Sequence, residues 1–377
     1  MSVITFEKIV SKLQNDRVLL VGGAGFIGHN LAVGLGQARV PVMVLDNLMV
    51  NSLVDNSFYD DGNLTKRELN LHFLMSRFEI MRSLGVEFRN CDARNFSDIA
   101  NVFNEFKPTR VVHLAAIASA VEARKNPGKC FDLQLSTLRN VLELCRLDQK
   151  NMKTLMFLSS STVYGDFEDA WVDETTRPRP RGIYANAKYM GERLVRTYCH
   201  TYGLGICIIR PSALYGERCV SRRVSQIFIE NALAGKPRLL EGGGSGRLDF
   251  TYVEDLIDGM IRALALHGGP TASDTFNVTY GDARSILELA NIIKELIPNV
   301  TFEHRPQAQD KPTRGTLKMD KARERLGFIP RWPLDKGYEK YCEWYVSEWE
   351  TVVRANAGRG PQSSFRGWDL RDYQVKL

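Results

Sequence analysis

The sequence of 377 residues lacks the features that define several large classes of protein. No apolar run approaches the roughly 18 residues of a membrane span, and the start MSVITFEKIV lacks the pattern of a secretion signal. The seven cysteines and six histidines show no CxxC, HExxH or clustered spacing that would support a metal site. We therefore expect a cytoplasmic protein with buried free thiols, no metal and no contact with a membrane.

Composition excludes further classes. A hydrophobic content of 44% is too high for a disordered chain, and the 30 glycines and 14 prolines follow no period. The 50 basic and 44 acidic residues leave a net charge of +6, which suits small anionic ligands as well as nucleic acid. The chain has no basic stripe with aromatic platforms, so we expect no nucleic-acid partner.

Short β-branched segments alternate with helical stretches through the first half of the chain. The predicted strands are residues 17–21, 41–45, 86–90, 110–113, 154–158 and 206–210. Strands that are apolar on both faces and separated by helices predict an α/β fold with a doubly wound parallel sheet, the Rossmann arrangement. Segments near residues 250–253 and 275–278 are expected to return to that sheet.

The pattern changes after Pro211 to basic loops, a helix and a glycine cluster. We predict a dinucleotide-binding domain over residues 1–211 and 248–282. A smaller, discontinuous C-terminal lobe for the substrate is predicted over residues 212–247 and 283–348, and a loosely packed tail over residues 349–377.

The segment between Asp46 and Asp92 contains an acidic, Asn-rich loop and then an amphipathic helix. Its expected apolar face carries Leu71, Leu74, Phe78 and Met81. Two interpretations remain open: the helix packs on its own domain, or it forms a lid or a subunit contact.

The motif GGAGFIG places Gly22, Gly25 and Gly28 between a strand and a helix. The first glycine allows a tight turn, the second lets backbone amides approach a pyrophosphate, and the third permits close packing of helix on strand. Asp46 ends the next strand, where a carboxylate accepts hydrogen bonds from both ribose hydroxyls and repels the 2′-phosphate of NADP. The motif therefore predicts NAD as the cofactor, and Asp92 is a candidate contact for its adenine.

Hydroxyl groups follow the fifth strand in the segment FLSSSTVYG, at the edge of the sheet where doubly wound folds bind ligands. About 20 residues later, Tyr184 and Lys188 stand four residues apart, on one face of a predicted helix. An ammonium beside a phenol lowers the pKa of the phenol toward that of a general base. Serine, tyrosine and lysine beside a nicotinamide are the groups that hydride transfer from an alcohol requires.

From Arg17 to Tyr345 the chain resembles the extended short-chain dehydrogenase/reductases, in the branch of NAD-dependent nucleotide-sugar epimerases and dehydratases. The motifs that carry the resemblance are GGAGFIG, LDNL, HLAA, SSSTVYG, YANAK, IIRPSALYG, LDFTYVEDL and KARERLGFIP. The resemblance implies that Ser160 is the catalytic hydroxyl, Tyr184 the base and Lys188 its ribose-binding partner. Together the motifs predict a cofactor site formed by Gly22, Gly25, Phe26, Ile27, Gly28, Asp46, Asn47, Asp92, Ala115, Tyr184 and Lys188.

The family's dehydratases and decarboxylases carry acidic residues between the catalytic Ser/Thr and VYG, where this chain has Ser161 and Thr162. Elimination of water would lack its acid, so we predict a 4-epimerase that acts on a nucleotide-diphosphate sugar through a transient 4-keto sugar. A 4-ketosugar reductase or dehydrogenase is the alternative within the family. A non-catalytic NAD-binding scaffold is the alternative outside it.

Two positions depart from the family pattern: its substrate-binding Asn is Ala213 here, and the Arg of its RDF motif is Leu248. Other residues are therefore expected to contact the substrate, and the predicted set is Ser161, Thr162, Arg218, Arg247 and Arg314, with Arg222 and Arg223 as further candidates. The arginines of RPRPR, residues 177–181, either meet an acidic sugar or lie in a solvated loop. The resemblance also implies a homodimer.

Overall fold

A computed structural model describes residues 5–50, 52–53, 64–117, 119–297, 300–306 and 312–357. The strands are β1 (Val18–Val21), β2 (Val42–Asp46), β3 (Glu87–Asn90), β4 (Arg110–His113), β5 (Thr154–Leu158), β6 (Trp171–Val172), β7 (Ile206–Arg210), β8 (Leu214–Tyr215), β9 (Arg238–Glu241), β10 (Arg247–Asp249), β11 (Thr251–Tyr252), β12 (Ser273–Asn277), β13 (Ala283–Ser285), β14 (Phe302–Arg305) and β15 (Thr316–Leu317). The α-helices are α1 (Phe6–Val10), α2 (Phe26–Gln37), α3 (Leu64–Ser83), α4 (Phe96–Phe106), α5 (Ala120–Lys125), α6 (Pro127–Phe131), α7 (Thr137–Leu147), α8 (Gly182–Tyr202), α9 (Val224–Leu233), α10 (Val253–Leu266), α11 (Ile286–Leu296), α12 (Asp320–Leu326) and α13 (Leu334–Ala357).

Seven strands form the main sheet in the order β3-β2-β1-β4-β5-β7-β12, and every neighbouring pair is parallel. The predicted doubly wound α/β fold is confirmed. The chain builds outward from β1 to β3 and then continues on the other side of β1 from β4 to β12. This reversal between β1 and β4 opens a crevice at the carboxyl edge of the sheet, where such folds bind ligands.

The two faces of the sheet bury separate apolar clusters, because successive side chains of a strand point to opposite faces. Leu20, Val44 and Val112 pack on one face with residues of α2 and α10. Leu19 and Met43 pack on the other face with residues of α4, α7 and α8. Burial on both faces explains why most of these strands are continuously hydrophobic.

A third cluster forms the core of the smaller lobe and is unusually aromatic. Its fully buried tyrosines are Tyr215, Tyr252, Tyr338, Tyr341 and Tyr345. Small two-stranded sheets, β8 with β11, β9 with β14 and β10 with β13, surround this cluster. The lobe is discontinuous, as expected, because β12 rejoins the main sheet between its pieces. The residue boundaries of the two domains stay a prediction.

Two sequence expectations about strands were wrong. The segment near residues 250–253 does not enter the main sheet, since β11 pairs with β8 instead. Strand β3 is exposed at all four positions rather than apolar on both faces. It forms the edge of the sheet, where helices cover it less than they cover the central strands. The last helix, α13, also continues past residue 349 to Ala357, and the rest of the predicted tail lies outside the described residues.

Helix α3 packs within its own chain and connects the two halves of the molecule. Phe73 contacts Trp344 of α13 with ring centroids 4.7 Å apart, while Met81 joins the cluster around α2. The buried face includes Leu69, Phe73 and Arg77 rather than the predicted Leu71 and Phe78, which are only partly buried. The Asn-rich loop predicted before this helix falls largely in residues 51 and 54–63, outside the described residues.

All seven cysteines are buried and free, as expected. Among the described residues, no helix is both long and apolar enough to cross a membrane. The same residues contain no group of three or more His, Cys, Asp or Glu side chains arranged to hold a metal ion.

Candidate active site

A cavity of about 520 Å³ lies at the carboxyl edge of the main sheet and reaches the smaller lobe. We call its sheet side the cofactor wall, formed by residues 22, 25–28, 45–47, 91–93, 114–116, 158–162, 184 and 188. The opposite side is the lobe wall, formed by residues 211–214, 220, 221, 223–225, 248, 250 and 314. The volume is typical of a pocket for a small ligand or cofactor.

The cavity brings together the predicted catalytic and cofactor residues from motifs that are far apart in sequence. Those that line it are Ser160, Tyr184, Lys188, Gly22, Gly25, Phe26, Ile27, Gly28, Asp46, Asn47, Asp92 and Ala115. Ser161, Thr162, Arg223 and Arg314 from the predicted substrate set also line it, whereas Arg218, Arg222 and Arg247 do not.

The glycine turn between β1 and α2 has no room for side chains at two of its positions. Gly22 has a φ of +79°, and a Cβ there would lie 2.5 Å from the backbone nitrogen of Ala115. A Cβ on Gly28 would lie 2.5 Å from the carbonyl oxygen of Gly23. The turn therefore depends on glycine, and it directs the amino end of α2 at the cavity, where a helix attracts anions.

Two carboxylates lie beside this turn: Asp46 ends β2, and Asp92 follows the end of β3 by two residues. Asp46 accepts hydrogen bonds from the backbone amides of Ala24 (2.9 Å) and Leu48 (2.8 Å), while burial raises the pKa of its carboxyl. Asp92 pairs with Arg94 at 2.6 Å and hydrogen-bonds Asn47, which lowers its pKa to about 2. Both aspartates thus present oxygens to one end of the cavity, and Asp92 stays ionised at neutral pH.

The hydroxyl of Ser160 is oriented by Thr162. Its oxygen accepts from the backbone amide of Thr162 at 3.2 Å and from the Thr162 hydroxyl at 3.0 Å. Two donors occupy the lone pairs of this oxygen, so the Ser160 proton is left to be donated. A hydrogen bond between Ser160 and the Tyr184 phenol favours the phenolate and lowers its pKa.

The net pKa shift of Tyr184 is opposite to the sequence expectation. Burial is the largest influence and raises the pKa of the phenol above its usual value. The cation that opposes this rise is Arg223 of the lobe wall, not Lys188. Lys188 donates to the Leu158 carbonyl at 2.7 Å, and burial lowers the pKa of its ammonium to about 8. The i, i+4 spacing predicted that Tyr184 and Lys188 lie together, but it did not predict that Arg223 is the cation that acts on the phenol.

A buried ion-pair network holds helix α8, which carries Tyr184 and Lys188, on the sheet. Glu192, two turns after Tyr184, accepts from the Arg210 guanidinium through both oxygens, at 2.8 and 2.7 Å. Ser159 donates to the same carboxylate at 2.6 Å. Glu192 and Arg210 are fully or almost fully buried, so this bidentate pair is shielded from solvent.

Close contact between α8 and β5 completes the positioning of the helix. Gly191, one turn after Lys188, lies so near the ring of Phe157 that a Cβ would be 2.4 Å from Cζ. The Phe157 ring in turn lies 5.4 Å from the Lys188 ammonium. The absence of a side chain at Gly191 thus sets how closely Tyr184 and Lys188 approach the sheet.

The lobe wall carries apolar side chains at two positions where the family pattern has Asn and Arg. Ala213 and Leu248 line it beside Phe250. Positive charge comes instead from Arg223 and Arg314, and Arg314 donates to the Ser161 carbonyl at 3.0 Å. Burial lowers the pKa of Arg314 to about 10, which leaves it charged at neutral pH.

The other predicted arginines point elsewhere. The Arg218 guanidinium lies over the Trp344 ring at 5.7 Å, and Arg247 donates to the Ala283 carbonyl. In the RPRPR segment, the exposed Arg179 and Arg181 pair with Glu168 and Asp166. These placements favour the interpretation of RPRPR as a solvated loop.

Sequence reasoning missed Arg77, a fully buried side chain of α3 that also lines the cavity. Its position four residues after Phe73 and four before Met81 puts it in the buried stripe of the helix. A charged residue within an apolar stripe was the signal that could have identified it.

A doubly wound sheet with a glycine turn, a carboxylate after β2 and a Ser-Tyr-Lys set at its edge defines a dinucleotide-dependent oxidoreductase-type site. Residues 18–279 match the model of the NAD dependent epimerase/dehydratase family. The chain belongs to this family of enzymes, and its cofactor is NAD.

Individual relatives differ in their reactions. UDP-glucuronate 4-epimerase 1 of Arabidopsis thaliana is 28% identical over 347 residues, covering 88% of this chain and 76% of the relative. The dTDP-glucose 4,6-dehydratase of Salmonella typhimurium is 26% identical and covers 95% and 99% of the two chains. The solved UDP-glucuronic acid 4-epimerase of Bacillus cereus, in complex with UDP-glucuronic acid and NAD, has a TM-score of 0.73 and 25% identity, covering 88% of this chain and 99% of that structure.

Proposed function

We propose that this protein is an NAD-dependent nucleotide-sugar 4-epimerase. The observation that carries the proposal is the distribution of carboxylates in the cavity. Among the described residues that line it, the carboxylates are Asp46 and Asp92, both beside the glycine turn. Within that described lining, no carboxylate lies beside the hydroxyls of Ser160, Ser161 and Thr162. Oxidation at carbon 4 is supported by this set of groups, whereas elimination would need a carboxylic acid near the leaving hydroxyl.

The residues of the cofactor wall fit NAD. The glycine turn and the amino end of α2 suit the pyrophosphate, and Asp46 suits the hydroxyls of the adenosine ribose. Lys188 suits the nicotinamide ribose. When bound, NAD would supply a reversible hydride acceptor at this wall, so the reaction would need no external oxidant or reductant.

The chain's own groups move the proton. Tyr184 acts in its phenolate form, which Arg223 and the hydrogen bond from Ser160 favour. This phenolate takes the proton of the sugar's 4-hydroxyl while hydride leaves carbon 4, and Ser160 then donates a hydrogen bond to the reacting oxygen. The 4-keto sugar then turns over, and its opposite face takes back the hydride while Tyr184 returns the proton. Atoms and electrons balance, and the two sugars differ in configuration at carbon 4.

Substrate recognition is assigned to the lobe wall. Arg223 and Arg314 supply positive charge for a nucleotide diphosphate, and Ser161 and Thr162 supply hydroxyls for the sugar. The buried Nε of Arg223 has no hydrogen-bond partner among the described residues, which suits an anionic ligand. The homodimer and the cytoplasmic location remain predictions that accompany this assignment.

The experiment is a panel of UDP-, GDP-, CDP- and dTDP-sugars, including UDP-glucuronate, with chromatographic separation of isomers and absorbance of the cofactor followed together. An epimerase interconverts two isomers with no net change in NADH. Net production or consumption of NADH would identify a dehydrogenase or a 4-ketosugar reductase. A protein that binds NAD but turns over no member of the panel would favour the scaffold alternative. Release of water with a 4-keto-6-deoxy product would contradict the proposal.

A further inference from the structure

Arg77 reaches the cofactor wall from outside the sheet. It belongs to α3, in the long segment between β2 and β3, and lines the cavity beside the glycine turn. Its Nη1 donates to the carbonyl of Ala24, within GGAGFIG, at 3.1 Å, and its Nη2 donates to the carbonyl of Arg218. The guanidinium therefore lies between the glycine turn and the loop that follows β8.

The charge of Arg77 is only partly compensated within the protein. Its side chain is fully buried, and its Nε has no hydrogen-bond partner among the described residues. The Asp46 carboxylate attracts it, but both oxygens of that carboxylate already accept backbone amides. Burial and the like charge of Arg218 both act against it and lower its pKa to about 10. A buried cation of this kind is costly unless an anion pairs with it.

The neighbourhood offers more donors than acceptors. The first amides of α2 face the same space without carbonyls of a preceding turn to bond. His29 in the first turn of that helix is buried, and its pKa is held well below the usual value by burial and by Arg77. Ala24 and Arg218 contribute carbonyl oxygens, but these are already used by Arg77. A multiply charged anion at the glycine turn would satisfy both the helix amides and the free Nε.

We propose that Arg77 binds the pyrophosphate of the dinucleotide, so that helix α3 supplies a phosphate ligand that the Rossmann sheet itself lacks. The pyrophosphate of NAD is the favoured source of this anion because Arg77 contacts the glycine turn directly. A nucleotide-sugar diphosphate carries the same chemistry, but the cations of the lobe wall, Arg223 and Arg314, are the candidates for it.

Packing explains how α3 holds this charge in place. Phe73, one turn before Arg77, contacts both Trp344 and Tyr345 of α13, with centroids 4.7 and 5.5 Å away. Met81, one turn after it, is buried in the cluster around α2. The helix is therefore anchored on both sides of Arg77, and the guanidinium is positioned before a ligand arrives. Such preorganisation increases affinity, because less freedom is lost on binding.

The test compares R77M and R77Q with the wild type and with R82M, which removes an exposed arginine of the same helix. The rate of NAD loss from the purified holoenzyme is measured by dialysis. Affinities of the stripped protein for ADP-ribose, adenosine and UDP are measured by calorimetry. Thermal melting checks that each variant is folded.

We expect both Arg77 variants to lose NAD faster and to bind ADP-ribose about 10-fold to 100-fold more weakly, the cost of a charge-assisted hydrogen bond. Affinity for adenosine and for UDP should change less than about twofold, and R82M should match the wild type. If R77M does not fold, R77Q carries the same comparison, because its amide retains a donor for a backbone carbonyl.

Three results would overturn the proposal. Unchanged affinity for ADP-ribose would show that Arg77 binds no phosphate. An equal loss for ADP-ribose and adenosine would assign it a purely structural role. Weakened binding of UDP with unchanged ADP-ribose would assign it to the substrate diphosphate instead. The inference depends on NAD as the cofactor and not on the 4-epimerase reaction, so its failure would leave the proposed function intact.

Discussion

The two walls of the cavity are built in different ways. Backbone geometry and buried groups position the cofactor wall, as at Gly22 with its φ of +79° and at the Glu192–Arg210 pair beneath the wall. The lobe wall presents apolar side chains and arginines, including Arg223, whose buried Nε has no partner among the described residues. A cofactor that the whole family shares can be bound by backbone groups, which substitutions do not alter. A substrate that differs among members is bound by side chains, which single substitutions can change. We expect substitutions on the two walls to differ accordingly.

The largest expected effect is on the chemistry of the cofactor wall. Replacing Tyr184 with Phe removes the proposed base and should lower kcat about 1,000-fold while NAD stays bound. Steady-state kinetics and the NAD content of the purified variant measure the two effects. Tyr189→Phe, on the same helix but off the cavity lining, is the control and should be fully active. Substantial activity in Tyr184→Phe would remove the phenol from the mechanism.

The ion-pair network beneath that wall should have the next largest effect. Glu192→Gln leaves the Arg210 charge buried without its counter-ion and should lower the free energy of unfolding by about 3 kcal/mol. Glu105→Gln breaks the exposed pair with Arg89 and should cost less than about 1 kcal/mol. Urea denaturation of both variants makes the comparison. Equal losses of unfolding free energy in the two variants would mean that the buried Glu192–Arg210 pair stabilises the protein no more than the exposed Arg89–Glu105 pair does.

The third prediction concerns the contact between helix α8 and strand β5. Gly191→Ala places a methyl group against Phe157, which is itself buried, and should destabilise the fold by about 2 kcal/mol and reduce kcat by moving Tyr184 and Lys188. Gly128→Ala is the control, since its Cβ would meet nothing within 4 Å and should change stability by no more than about 1 kcal/mol. A stable, active Gly191→Ala variant would show that this contact does not position the helix.

One residue of the lobe wall should affect chemistry across the cavity. Arg223 lowers the pKa of Tyr184, so Arg223→Met should raise that pKa and shift the rising limb of the kcat/KM profile to higher pH. Loss of a phosphate contact should also raise KM for the sugar nucleotide about tenfold. Arg177→Met removes an exposed arginine off the cavity lining and should leave both values unchanged. An unshifted pH profile would show that Arg223 on the lobe wall does not influence the pKa of Tyr184 on the cofactor wall.

The smallest expected effect is the pH dependence of stability from His113, beneath the cofactor wall. Burial and the charge of Lys188 lower the pKa of this imidazole to about 3. Below pH 6.5 the unfolded chain binds a proton at this residue that the folded chain does not, so stability falls as the pH falls. The loss between pH 7 and pH 5.5 should be about 1 kcal/mol.

His113→Gln should remove this part of the pH dependence, as measured by urea denaturation at the two pH values. His200→Gln, at an exposed histidine, should retain the dependence of the wild type. The same slope in His113→Gln and the wild type would contradict the assignment.

Sequence reasoning succeeded where a motif is short and continuous. GGAGFIG, SSSTVYG and YANAK each place their functional groups through the local geometry of one turn or one helix, so the groups that these three motifs contribute to the cofactor wall were predicted from sequence. It was less accurate where burial depends on distant partners. The exposure of β3, the pairing of β11 with β8 and the buried face of α3 follow from which segments happen to lie beside them.

The amino-acid order alone determined the α/β class and the NAD cofactor, and it predicted that Ser160, Tyr184 and Lys188 share one site, because local backbone geometry links each of these features to neighbouring residues. Only the tertiary structure decided which charges act at the site. Arg223 rather than Lys188 opposes the rise in the pKa of Tyr184, Arg218 turns to Trp344, and Arg77 comes to the glycine turn from a separate helix. Electrostatic interactions depend on distance through space and on burial, and neither is specified by separation along the chain.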